Sequence, residues 1–123
     1  MGYDIRYEER RYYLFAHIEG PETFDNALDF WQDLRKESRE RKFTRLMVVD
    51  EVSGTLSTTQ IFTLSTEIAR LHPDATIAFV EPKKETLEAN RFGETVLANR
   101  GITGRVFTNE EEAEEWLLSF RSP

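Results

Sequence analysis

The chain has 123 residues, with 16 lysines and arginines set against 23 aspartates and glutamates, for a formal charge of −7. That length suits one domain spanning residues 1–123 with a single core burying roughly two-thirds of the unfolded surface, and the acidic balance argues against nucleic acid and anionic lipid as partners. The absence of cysteine excludes disulfides, thiolate metal sites and cysteine nucleophiles and fits a cytoplasmic protein; Met1 to Arg6 lacks a leader's apolar region, and no window nears the ~18 apolar residues of a membrane span.

Tyr3, Ile5 and Tyr7 alternate with Asp4, Arg6 and Glu8, the period-two pattern of a strand. After the charged turn Glu9-Arg10, the mostly apolar run from Arg11 to Glu19 predicts a second strand, paired with the first as an antiparallel hairpin and broken by Gly20-Pro21. Phe24, Ala27, Leu28, Trp31 and Leu34 then recur at helical spacing, opposite a face of Asp25, Asp29, Asp33, Lys36 and Glu40. Leu46 to Val49 shows no polar alternation, as expected of a parallel strand covered on both faces, and Thr76 to Val80 is its predicted neighbour. Between them Ile61, Leu64, Ile68 and Leu71 mark a second helix, ended by His72-Pro73-Asp74.

A third helix is predicted from Thr86 to Arg100, closed by Gly101 as a left-handed cap, with Gly93 allowing close packing on the sheet. Arg105-Val106-Phe107 reads as a short strand, and Thr108-Asn109-Glu110-Glu111 as the capping box of a helix whose Ala113, Trp116, Leu117 and Phe120 face inward. The order β-β-α-β-α-β-α-β-α predicts the α/β class: a mixed sheet of about five strands with helices packed on it, three strands in parallel through right-handed crossovers.

This order, with a hydroxyl-rich loop after the third strand, resembles the STAS domain of bacterial anti-sigma-factor antagonists and of the cytoplasmic tails of sulfate transporters. The segment from Phe92-Gly93-Glu94-Thr95 through Asn99-Arg100-Gly101 to Val106-Phe107, Ala113 and Trp116-Leu117 is similar to stand-alone bacterial STAS-like proteins. In the antagonists an Asp-Ser-Ser-Gly motif opens the second helix, and its second serine is phosphorylated. The matching positions here are Ser57, Thr58, Thr59 and Gln60, so the aspartate and the glycine are both replaced. The resemblance implies a non-enzymatic regulatory or protein-interaction domain with Thr58 and Thr59 as phospho-acceptors, binding a protein partner along Asp50, Glu51, Ser53, Gly54, Ser57 and Gln60.

Ser57 to Gln60 also fits the ordinary S-x-x-Q capping box, which uses Ser57 and leaves both threonines free. A phosphate on either threonine would meet the free amides and positive end of the same helix. Asp50 and Glu51 are adjacent on a strand and so point to opposite faces; the expectation is a solvated strand end, with Asp50 accepting amides from the Ser53-Gly54 loop, rather than a catalytic pair. His17 and His72 lack metal spacing, and no metal or cofactor is expected. Lys83-Lys84 lies on the same carboxyl edge of the sheet, without the Gly-rich fingerprint of a phosphate loop.

Two other functions compete with partner binding. One is a carrier of small apolar ligands or lipids, of the kind the CRAL-TRIO lipid-transfer proteins exemplify, with Phe24, Trp31, Phe62 and Phe92 lining its pocket. The other is an enzyme using Asp50, Glu51 or His17. An unpaired hairpin strand would also allow a homodimer through that edge.

Overall fold

The computed structural model describes residues 3–83 and 87–120. Along the chain lie β1 (Asp4–Glu9), β2 (Leu14–Pro21), α1 (Phe24–Arg41), β3 (Arg45–Ser53), α2 (Thr58–Leu71), β4 (Thr76–Val80), α3 (Leu87–Asn99), β5 (Thr103–Phe107) and α4 (Glu110–Leu118). The strands form one sheet in the order β1-β2-β3-β4-β5. β1 runs antiparallel to β2; the pairs β2–β3, β3–β4 and β4–β5 are parallel. The sheet is therefore mixed, the α/β class that the sequence predicts, but four strands rather than three run parallel, because β2 pairs with β3 in parallel.

Three strands depart from their predicted limits; β5 begins at Thr103 rather than Arg105, and the other two are β2 and β3. β2 starts at Leu14 rather than Arg11, because Arg10 N–H donates to the Tyr13 carbonyl at 3.0 Å and turns the chain there. It also runs through Gly20 and Pro21 instead of stopping before them, since β3 continues past Val49 to Ser53 and supplies partners, Gly20 to Val52 and Pro21 to Ser53. Neighbouring parallel strands satisfy one another's backbone groups, so extension of one sustains extension of the other.

Alternation along the strands divides the interior in two. Leu14, Ala16, Ile18, Leu46, Val48 and Ile77 pack with Phe30, Trp31 and Leu34 of α1, Leu64 and Ile68 of α2, and Leu97 of α3. Tyr13, Phe15, Met47, Val49, Ala78, Val80 and Phe107 pack on the opposite face with Ala113 and Leu117 of α4. Successive right-handed crossovers place α1, α2 and α3 on one side, and α4 follows the last strand to the other.

Helix ends follow local chemistry. Ser57 accepts from Gln60 N–H at 3.1 Å, and Gln60 Oε1 accepts from Ser57 N–H at 3.0 Å, a complete capping box. In α4 the cap is Asn109, one residue after the predicted Thr108; its Oδ1 accepts from Glu112 N–H at 2.9 Å. Gly101 has φ of 78° and ends α3 as predicted, with Ile102 N–H donating to the Leu97 carbonyl. Gly93 permits close packing against α2, not against the sheet: a Cβ there would lie 3.2 Å from Ser65 Oγ and 3.4 Å from Ile61 Cγ2. Thr86 and Lys84 lie outside the described residues.

Among the described residues, α4 is the helix that covers the second face, and its Leu117 is fully buried. Leu117→Ala is expected to cost about 2–5 kcal/mol in urea unfolding; a loss below about 1 kcal/mol would show that this face does not depend on α4.

Candidate functional site

Parallel register brings the ends of three strands together on the three-helix side of the sheet. Ile18 pairs with Asp50, and Val48 pairs with Phe79. Because side chains alternate, Asp50 lies on the same face as Val48, and Glu81, one step past the Val49–Val80 pair, lies beside it on that face. The ladder extends to this point through Glu81 N–H, which donates to the Phe107 carbonyl at 2.8 Å. Glu22 arrives from the β2–α1 junction, tied by its own N–H to the Ser53 carbonyl at 2.8 Å.

These carboxyl groups rim a cavity of about 90 Å³ at the carboxyl edge of the sheet. Its walls are apolar and come from the strands and all three helices: Val48 and Phe79, Phe30 and Trp31, Ile61, Leu64 and Ile68, and Leu97. Gly54, Thr55 and Leu56 of the β3–α2 connection form another part of the wall, and Asn90, Gly93 and Glu94 of α3 complete it. Open α/β sheets place ligand clefts at this edge, where strand ends and loops converge.

The electrostatics are unusual for a surface rich in acids. Burial, followed by the neighbouring Glu81 charge, raises the Glu22 carboxyl from 4.5 to about 7, with Lys83 opposing. Burial, reinforced by Glu22 and Glu81, pushes Asp50 well above the usual carboxylate range, again with Lys83 opposing. Glu81 is buried at 3% exposure and has partners: Asn90 Nδ2 at 3.2 Å and the Lys83 backbone N–H at 3.1 Å. The Lys83 ammonium donates to the Val52 carbonyl. Glu94 accepts from Val106 N–H at 2.9 Å. Such a site can hold a proton close to neutral pH, or compensate a positive charge that enters it.

The predicted edge residues divide between three surroundings. Asp50 and Gly54 line the cavity. The expectation that Asp50 accepts loop amides is corrected: among the described residues its carboxyl makes no hydrogen bond, the residue is half-buried at the cavity, and desolvation is the main influence on its proton affinity. Glu51 does point to the other face, where its Oε1 lies 2.9 Å from His17 Nε2. Ser53, Ser57, Thr58, Thr59 and Gln60 are exposed along the loop and first turn of α2. Of the aromatics assigned to an apolar pocket, only Trp31 lines the cavity; Phe62 and Phe92 are exposed at 46% and 38%, and Phe24 packs at the margin of the core.

The sequence pattern missed Glu22 and Glu81, which stand among turn residues, and it missed a cluster on the opposite face. There His17, Glu19 and Glu51 place ligand atoms within 4.8 Å of one another. His72, by contrast, is structural: buried at the end of α2, it donates from Nε2 to the Trp31 carbonyl at 3.1 Å.

The fold and the site together define an α/β protein with three helices on one sheet face, one on the other, and an acidic cleft at the carboxyl edge. The chain is similar to the NMR structure of the protein TM1081, at a TM-score of 0.61 and 16% identity over 93% of this chain and 88% of that one. At that identity the likeness carries the fold alone. No protein-family model matches the chain, and no curated protein matches it. Among the described residues, no helix is long and apolar enough to cross a membrane.

Glu22 keeps its proton to about pH 7 when folded but only to its ordinary 4.5 when unfolded. Between those values the folded state binds the extra proton, so this group's contribution to stability is lost as pH rises across the window. Glu22→Gln is therefore expected to match the parent near pH 4.5 and to exceed it at pH 8 by about 1–3 kcal/mol in chemical unfolding. Burial lowers His72 below its ordinary 6.5 and gives the opposite trend, stability lost as pH falls, which cancels in the comparison between the two proteins. Equal stabilities at pH 8 would contradict the assignment.

Proposed function

We propose that the protein is a non-enzymatic regulatory domain of STAS-like kind that binds a protein partner through the β3–α2 edge. The observation that carries this reading is the form of that edge. From Ser53 to Gln60 every residue except Leu56 is exposed, so a row of small polar groups faces outward while one buried leucine and the capping box hold the segment in place. Thr58 and Thr59 stand at the first turn of a helix whose amide end favours negative charge, and Ser57 already fills the capping role. A phosphate on either threonine would add charge to the surface that a partner meets, and phosphorylation is the form of regulation that follows.

At the carboxyl edge a lipid carrier is disfavoured by size, since the cavity there, about 90 Å³, cannot enclose an acyl chain. A homodimer through β1 is disfavoured by chemistry: that edge strand carries Asp4, Arg6, Glu8 and Glu9, charges of the sort that protect exposed edges from pairing. Recovery of partners from native cell extract on the parent protein and on the variant Ser53→Ala, Thr58→Ala, Thr59→Ala tests the reading. The expected result is a partner lost from the variant, and an intact mass of the native protein bearing a phosphate that maps to Thr58 or Thr59. An unchanged set of partners together with an unmodified mass would reject it.

A further inference from the structure

The carboxyl groups of the cavity are unevenly satisfied. Glu81 and Glu94 have hydrogen-bond donors, but the Glu22 and Asp50 carboxyls have no hydrogen bond or ion pair among the described residues. Both residues are half-buried, so their carboxyl oxygens open onto the cavity, where a ligand has room to supply donors. Beside these two groups the cavity offers aromatic and aliphatic wall, chiefly Trp31, Phe79, Leu64 and Ile68. Both features belong to one concave space: acceptors without donors at its rim, and apolar surface beneath.

We propose that this cavity is a binding site for a small aliphatic amine, its ammonium group donating to Asp50 and Glu22 and its hydrocarbon part lying against Trp31 and Phe79. The proposal stands apart from the partner-binding reading, because it rests on the cavity and not on the exposed loop. An anion is excluded by the four carboxyl groups, Glu22, Asp50, Glu81 and Glu94, that line the space. A chelated metal ion is a poor match, because the oxygens of Glu22, Asp50 and Glu81 are not drawn together within the 4.8 Å that unites His17, Glu19 and Glu51. The volume of about 90 Å³ has room for several water molecules and so for an alkyl chain of about three to five non-hydrogen atoms with its far end at the mouth. Aromatic rings at the wall add attraction for a cation.

The charge balance of the site makes the binding pH-dependent. The groups facing the ligand are Glu22 from the β2–α1 junction, Asp50 from β3, Glu81 from the end of β4, Glu94 from α3, and Lys83, whose charge acts on Glu22 and Asp50. In the empty cavity Glu22 holds its proton to about pH 7. An arriving ammonium favours the ionised carboxylate and so displaces that proton, while the amine itself stays charged across the range. Affinity is expected to rise several-fold between pH 6 and pH 8, by up to about ten-fold per pH unit for each proton released.

The test is titration of the whole protein with n-butylamine, n-butanol and butyrate, followed by two-dimensional amide NMR at pH 6 and pH 8. Saturable shifts at Trp31, Asp50 and Gly54 are expected with n-butylamine alone, tighter at pH 8, and weakened about ten-fold or more in Asp50→Asn. Thermal unfolding of Asp50→Asn checks that the variant is folded. The parent titrations stand without it, since they compare ligands on one protein. Equal binding of butanol and butylamine, binding of butyrate, no saturable shift with any of them at pH 8, or undiminished affinity in folded Asp50→Asn would each overturn the proposal.

Discussion

The parallel register of β2, β3 and β4 is the constraint on which the rest of the structure depends. It sets Asp50 beside Ile18 on one flank and beside the position that follows Val80 on the other, so that Glu81 must neighbour it on the same face. A slip of one residue in either strand would turn these side chains to the α4 side and expose the core residues that share their parity. The same alternation that buries Leu46 and Val48 therefore also fixes where the acidic groups meet.

Burial at that point costs free energy that the apolar core must offset. A carboxyl group withdrawn from water is destabilising when ionised, and three carboxyl groups, Glu22, Asp50 and Glu81, come together at the sheet edge. Glu81 is compensated by Asn90 and a backbone amide. Desolvation and the neighbouring carboxylates raise the proton affinities of Glu22 and Asp50, so that holding a proton lowers the cost of their burial. Such an arrangement is tolerated where packing is strong, and beside it lie Phe30 and Trp31, with 5% exposure or less.

Much of the fold was legible in residue pattern. Alternation in Tyr3 to Glu8, the unbroken apolar run at Leu46 to Val49 and the 3.6-residue spacing in α1 and α2 each correspond to an element of the structure. The capping box at Ser57 was legible because its chemistry is local, as was the left-handed cap at Gly101. Strand limits at Arg11 and Gly20 were not, because pairing with β3 and the turn at Arg10 decide them, and neither is encoded within the segment itself. The site was legible in part. Asp50 could be assigned to a strand end, but its meaning comes from Glu22 and Glu81, which lie 28 and 31 positions away along the chain. The His17–Glu51 contact spans 34 positions and is hidden for the same reason. Contacts made by register across a sheet leave no periodic trace in a single sequence.

The site depends on carboxyl groups that keep their protons in a cleft, and carboxyl carbon NMR of the native protein through a pH titration measures that directly. The expected result is a Glu22 transition near pH 7 and an Asp50 transition well above its ordinary 3.8. Transitions of both groups near their ordinary values, 4.5 and 3.8, would contradict the account, because they would mean that water and not the protein surrounds them.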